Sequence, residues 1–409
     1  MFSYQKGKAL SLRNMCADLR QFLGIHMKKQ SLDERFTAKA VAFLQAVLAS
    51  VMGCQLKMKA SDDTLSVFNR VRVKDSTRFA LPGLFSKKYK GHGGATANSS
   101  SMVSLQYEYD MLSGDAMDLR LTSGTKNDQG DSKNNTHDIR ENDLFIRDLG
   151  YATLTFMSLV IGKGAYFLNR LHPQITAYHQ GRPEEKVPVC RPLDFAKCLK
   201  KMKKHNLPYL AYEVLLGKKT KIPCRLVVYC ADQATYDKRI KKAQKQAKSK
   251  GYQVTKEFKA KAWLTPYVTN TSPEQVPTGK IKAIYGLRWQ IELTFKVWKS
   301  QARIHHVKEM KIERFECEVI AKLIWLMAHL KVFYFLVKRG YEKWPEKTLS
   351  IWKYYDHAHS INSLVREIIC KPEKLLGLLE GLLDMANDLF RLEAKKGKPA
   401  HYEAFLLLA

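Results

Sequence analysis

What the 409-residue chain lacks already narrows the choices. Its eight cysteines lie at 16, 54, 190, 198, 224, 230, 317 and 370, and no two are spaced Cys-x-x-Cys. That spacing fits neither a zinc module nor a compact disulfide framework, so reduced thiols in a cytosolic compartment are the simpler reading. The first residues, "MFSYQKGKAL", lack the apolar core of a signal peptide. No internal repeat or useful low-complexity tract is found. Acidic residues are scarce: 39 Asp plus Glu stand against 69 Lys plus Arg, a net charge of +30. Such an excess attracts polyanions, nucleic acid first among them, with a solvated basic surface or an acidic membrane face as the other readings. The most apolar window, Val319 to Val337, is interrupted by Lys322, His329 and Lys331, which favours a buried helix over a membrane span.

What is present is an ordinary folded composition, 45% hydrophobic and 26% charged, at a length that suggests roughly two to four domains. Residues 1 to about 60 read as helices, and Gly53 suits a helix end. In "RVRVKD", Val71, Val73 and Asp75 alternate with Arg72 and Lys74, predicting a strand whose inner face ends in a carboxylate. A Gly/Ser-rich loop follows, then two alternating runs around "SGD" that predict a hairpin. After the polar stretch "TKNDQGDSKNNTHD", read as mobile, "LFIRDLGY" predicts a strand ending at Asp148. A helix in "ATLTFMSLVIG" and a strand in "AYFLNRL" come next. This order suits a mixed α/β sheet with packed helices. From 173 to 280, β-rich runs ("KVPVC", "YLAYEVLLG", "IPCRLVVYC") alternate with basic clusters; ten Lys or Arg and one acid lie between Lys238 and Lys261. Beyond residue 300 the chain reads as helical.

The segment "YGLRWQIELTFKVWKS", 285–300, reads as one helix. At about 100° per residue, Tyr285, Arg288, Glu292, Lys296 and Lys299 share one stripe, with Leu287, Ile291, Val297 and Trp298 opposite. The apolar side anchors the helix, and the polar side is displayed. Taken alone, this is a solvated stripe with one i, i+4 pair between Arg288 and Glu292, worth only about 0.2–0.5 kcal/mol.

The neighbourhood changes that reading. The Tyr, Arg, Glu and Lys spacing of Tyr285, Arg288, Glu292 and Lys299 resembles the signature of the insertion-sequence-four family of bacterial DDE transposases. "LRWQIE" is similar to the family's Arg-Trp-x-Ile-Glu context, "KDSTRFALPGLF" to its first-aspartate motif and "FIRDLGY" to its second; "YKGHGG" fits weakly. The likeness covers about residues 60 to 335.

The resemblance implies a ribonuclease-H-like mixed sheet core with a β-rich insertion domain and helical N- and C-terminal regions. The expected division is a DNA-end-binding region at 1–65, the first part of the catalytic core at 66–172 and the insertion at 173–280. The second part of the core, with the Glu helix, is expected at 281–340, and the C-terminal helices at 341–409. It implies that Asp75, Asp148 and Glu292, which are 73 and 144 residues apart, converge as catalytic metal ligands. Carboxylates crowded together need cations, and hard ions such as Mg²⁺ or Mn²⁺ prefer oxygen. Two ions about 3.5–4 Å apart can activate the attacking hydroxyl and stabilise the leaving oxygen. Asp75 would bridge them. Tyr285, Arg288 and Lys299 are implied to hold the DNA strand end, and Trp263 to stack a flipped base, against a packing role. Lys296 would be a spectator and Trp289 structural. The partners implied are double-stranded DNA, at the element's terminal inverted repeats and at the target, and a second protomer, in the bacterial cytoplasm at the nucleoid, with no membrane. The lysines at 200–204 and 238–250 are possible DNA tracks. The competing expectations are a non-catalytic or domesticated DNA-binding relative, or a nuclease of the same fold.

Overall fold

The computed structural model describes residues 11–53, 63–93, 100–126, 130–131, 138–179, 191–251, 253–344 and 349–391. The run "KVPVC" at 186–190, most of the polar stretch after residue 126 and the end of the chain lie outside these residues.

Nine strands, β1 (Arg70–Ala80), β2 (Met102–Asp110), β3 (Ala116–Ser123), β4 (Asp143–Arg147), β5 (Tyr166–Arg170), β6 (Ala177–His179), β7 (Tyr209–Leu216), β8 (Ile222–Cys230) and β9 (Leu264–Thr269), form one mixed sheet. Their order is β3-β2-β1-β4-β5-β9-β8-β7-β6. The chain divides into two compact units. One comprises 63–74 and 127–288; the other comprises 1–62, 75–126 and 289–409. The division cuts β1 after Lys74 and the Glu-bearing segment after Arg288.

In the unit containing residues 127–288, β1 pairs in parallel with β4, and β4 with β5. Helix α5 (Leu154–Gly162) makes the crossover between β4 and β5, as parallel neighbours require. Thr153 caps it by accepting from the Phe156 backbone N–H at 3.2 Å. Phe156 meets Phe145 of β4 edge-on, with ring centroids 5.4 Å apart. The strands after residue 173 do not close a sheet of their own. β9 pairs antiparallel with β5, and β8, β7 and β6 continue outward from it. Their inward residues, among them Val214, Leu226, Val228 and Val268, share one apolar core with Phe145, Phe156 and Phe167. Helices α6 (Phe195–Lys204), α7 (Gln233–Lys250) and α8 (Lys256–Ala262) belong to the same unit, and α9 (Ile281–Gly286) ends it.

The alternation in β1 turns out to have no solvent face. Val71 and Val73 are fully buried, but Arg72 and Lys74 are buried as well. A central strand covered on both sides must bury whatever it carries, so these cations are held by partners rather than by water. The strand also continues five residues past Asp75, to Ala80.

In the other unit, β2 and β3 form the expected antiparallel hairpin. Asp110 organises its turn, accepting from the backbone N–H groups of Leu112 and Ser113. Gly114 has φ +74°, and a Cβ there would lie 2.7 Å from the Tyr334 ring, so only glycine fits. Helix α11 (Ile312–Lys343) runs 32 residues. It is long and apolar enough to cross a membrane, yet Leu323, Trp325, Leu326 and Leu336 are enclosed within this unit. It packs against α3 (Ala38–Gly53) and, around Gly340, α14 (Leu375–Leu389). Its His329 is buried and meets Tyr354 of α12 (Ile351–His357) at 3.0 Å.

Candidate functional site

The sequence puts two carboxylates immediately beyond one rung of the β1–β4 ladder. The last paired residues are Lys74 and Arg147. Asp75 is the next residue of β1, and Asp148 is the residue that follows the end of β4.

The charges beneath them are secured within the sheet. Arg70 donates through Nε to Asp143 at 2.7 Å and through a terminal nitrogen to Asp138 at 2.9 Å. These bonds hold the Asp138 carboxyl below its ordinary range, against the opposing effect of its burial. Lys74 is fully buried and pairs with Asp131 at 2.6 Å. Arg147 is 1% exposed, and its guanidinium lies 3.8 Å from the centre of the Phe156 ring. Arg72 is packed over Phe145. Buried charges survive only when paired or stacked in this way. Nothing in a period-two pattern distinguishes these residues from a solvated face, so the sequence reading missed them.

Asp148 is 46% exposed, and Arg288 Nε lies 4.0 Å from its Oδ1. The Tyr151 N–H donates to the Asp148 carbonyl, turning the chain toward α5. Arg288 also sits 6.0 Å from the Tyr285 ring centre. Tyr285 is 8% exposed, 5.1 Å from Tyr267, and its phenol oxygen is buried with no hydrogen-bond partner among the described residues. Burial pushes that phenol up to about 12. Tyr285, Arg288 and Asp148 therefore come together inside one unit.

The predicted single helix over 285–300 is two helices. α9 ends at Gly286, and α10 (Trp289–Ser300) begins after a turn at 287–288. The N–H groups of Leu287 and Arg288 bond to the carbonyls of Ile284 and Tyr285, three residues back, a tightened last turn. Gly286 costs a helix about 1 kcal/mol relative to alanine, and breaking there lets Leu287 bury completely. Tyr285 thus turns inward instead of joining the displayed stripe.

In the other unit, the inner face of α10 is as expected: Ile291, Val297 and Trp298 are buried, and Trp298 lies 4.9 Å from Tyr107. Glu292 is in the first turn and partly exposed. Lys299 is half-buried and donates to the Arg78 carbonyl at 3.0 Å, and desolvation lowers its pKa. Asp75 Oδ1 accepts from the Ser76 N–H at 2.8 Å. Lys296 is exposed and lies 5.1 Å from the Trp352 ring centre. Trp289 is 39% exposed.

Trp263 is in neither group. Its indole stacks on Tyr236 at 4.2 Å and 14°, with Lys203 Nζ 4.7 Å from the ring centre. The tyrosine takes up a ring face that a base would need.

The donor set of Asp75, Asp148 and Glu292 is all oxygen, which suits a hard divalent cation. Among the described residues, no three His, Cys, Asp or Glu side chains are grouped closely enough to hold a metal as they stand.

A sheet with carboxylates beyond its central rung, in a strongly basic chain, has recognisable kin. Residues 67–328 match the transposase DDE domain, and the chain belongs to that family of DDE transposases. It is 30% identical over 406 residues to the transposase for insertion sequence element IS231B of Bacillus thuringiensis subsp. berliner, covering 97% of this chain and 83% of that one. It is 32% identical to the IS231C transposase of the same organism, over 78% of this chain and 68% of that one. The IS1151 transposase of Clostridium perfringens is 29% identical, over 77% and 68%.

Proposed function

We propose that this chain cuts phosphodiester bonds at the ends of its own insertion element and joins the freed 3′-hydroxyls to target DNA. The observation that carries the reading is the shared rung of β1 and β4, after which Asp75 and Asp148 both follow, in a chain that matches the transposase DDE domain. In this reading β3-β2-β1-β4-β5 with α5 is the ribonuclease-H-like core, and β9 to β6 with α6 to α8 is the insertion.

Asp75, Asp148 and Glu292 would hold divalent cations, Mg²⁺ or Mn²⁺. Bound there, the cations would lower the pKa of a hydroxyl nucleophile and stabilise charge on the leaving oxygen. The protein's own residues supply the rest. Arg288, 4.0 Å from Asp148, balances that carboxylate and offers a planar fork to a phosphate. The Tyr285 phenol keeps its proton at working pH and can donate it in a hydrogen bond to a phosphate oxygen, which would complete its unmet bonding. Lys299 adds a point charge, held in place by its donation to the Arg78 carbonyl. Trp263 would serve as a base platform only through a ring face not taken by Tyr236. Joining two ends to one target calls for two protomers, working on DNA in the bacterial cytoplasm.

The test is cleavage of end-labelled DNA carrying the element's terminus, with Mg²⁺, by the parent chain and by Asp75→Asn. The substitution should lower the rate by roughly a hundredfold or more. Equal rates would leave a DNA-binding protein that does not cut.

A further inference from the structure

A second anionic site lies away from these acids, in the unit that contains both ends of the described chain. A cleft of about 560 Å³ opens where the start of α1 (Leu12–Leu23) meets the segment leading into α11. Arg13, Lys29, Lys308 and Arg314 line it, with Glu309 the one acid among its walls. Its volume is in the range of about 300–1,000 Å³ usual for ligand clefts. Leu12 and Met310 are the apolar residues of its lining, and the other seven are polar or charged.

The cations are unevenly committed. Arg314 is spoken for, donating to Glu318 at 2.9 Å with Asp33 at 3.7 Å. Arg13, Lys29 and Lys308 are exposed and make no ion pair among the described residues. Like charges around one concavity raise the local potential and favour a bound anion. The first turn of α1 adds to this without carrying it. It contains no acid, Ser11 satisfies only the Asn14 N–H, and the Leu12 and Arg13 amides have no intrahelical acceptor.

We infer that this cleft binds the phosphodiester backbone of DNA, as a holding site separate from the three carboxylates. The proposal rests on the reading of the chain as a DNA-processing enzyme. The cations come from three segments of the chain around an open groove, an arrangement that suits a row of phosphates better than one compact ion. Lys308 also lies in the connection from α10, the helix of Glu292, to α11. Strand gripped there would be tethered to the same stretch of chain that carries the catalytic glutamate.

The experiment is fluorescence anisotropy of a labelled duplex with the full chain in EDTA, across a salt series, so that cleavage plays no part. Arg13→Ala, Lys29→Ala and Lys308→Ala combined should weaken binding roughly tenfold or more and reduce the salt slope by about 2 to 3, since each phosphate contact contributes about 0.9. Arg13→Lys with Lys308→Arg should keep the parent affinity. A control with the same charge change, Lys343→Ala, Lys371→Ala and Lys374→Ala, whose lysines are already paired with Asp384 or Glu367, should bind as the parent does. Three results would overturn the assignment: an unchanged slope in the cleft triple, an equal loss in the control, or displacement of the duplex by inorganic phosphate at matched ionic strength. If Asp75→Asn cuts like the parent while the cleft triple loses binding, the enzyme reading fails and the cleft stands.

Discussion

The centre of the sheet and the middle of the long helix α11, at His329, bury polar groups in opposite ways. At β1 and β4 the buried groups are ions with partners: Arg70 with Asp143, and Lys74 with Asp131. In α11, His329 is fully enclosed, and its burial pushes it down to about 3, so it sits neutral between Tyr354 and Asn362. Both arrangements satisfy hydrogen bonds, but the ions beside β1 keep their charge in the interior, whereas His329 gives its charge up. Neutral packing is the cheaper way to hold helices together. Both ion pairs involve β1 residues of the β1–β4 ladder that precedes Asp75 and Asp148. The lesson is that a charge buried beside β1 is held by an opposite charge, while the neutral imidazole of His329 is held by neutral partners.

That contrast can be broken at several points. The largest effect should come from Asp143→Ala, which removes a fully buried carboxylate that accepts from Arg70 and from the Arg140 N–H. Leaving Arg70 without that acceptor should cost about 3–5 kcal/mol in urea unfolding. A cost under about 1 kcal/mol would mean the sheet's ion pairs are incidental. Next is acid. Because His329 has its pKa depressed from 6.5 to about 3, the unfolded chain binds the extra proton between those values. Stability should therefore fall as pH drops through that window, by up to about 1.4 kcal/mol per pH unit. His329→Gln should flatten that share of the slope, and an unchanged slope would show that the ring already ionises in the fold. The smallest effect is Thr153→Ala, which removes the cap of α5 just past Asp148. It should cost about 1 kcal/mol and lower cleavage only as far as it lets the Asp148 turn fray.

Much of this was readable beforehand, for physical reasons. The β2–β3 hairpin, β4 and α5 follow from local periodicity, with β4 ending at Arg147, one residue before the expected Asp148. The α10 face of Ile291, Val297 and Trp298 followed from helical spacing. What was not legible depended on distant packing. Arg72 and Lys74 look solvent-facing until a neighbour covers them. The break after Gly286 looks like an ordinary helix until Leu287 finds its buried place. The cleft of Arg13, Lys29 and Lys308 joins residues far apart in sequence, and no spacing announces it. The extension of the sheet through β9 was hidden for the same reason, since edge pairing between β5 and β9 leaves no mark in either strand alone.

The central claim is that Asp75, Asp148 and Glu292 act as one cation site although they come from three separate elements. Titration of Mn²⁺ into the full chain, followed by electron paramagnetic resonance, tests it most directly in the parent, Asp75→Asn, Asp148→Asn and Glu292→Gln. The account predicts that every one of the three substitutions weakens Mn²⁺ binding together with end cleavage. Parent-like Mn²⁺ affinity in all three variants would contradict it.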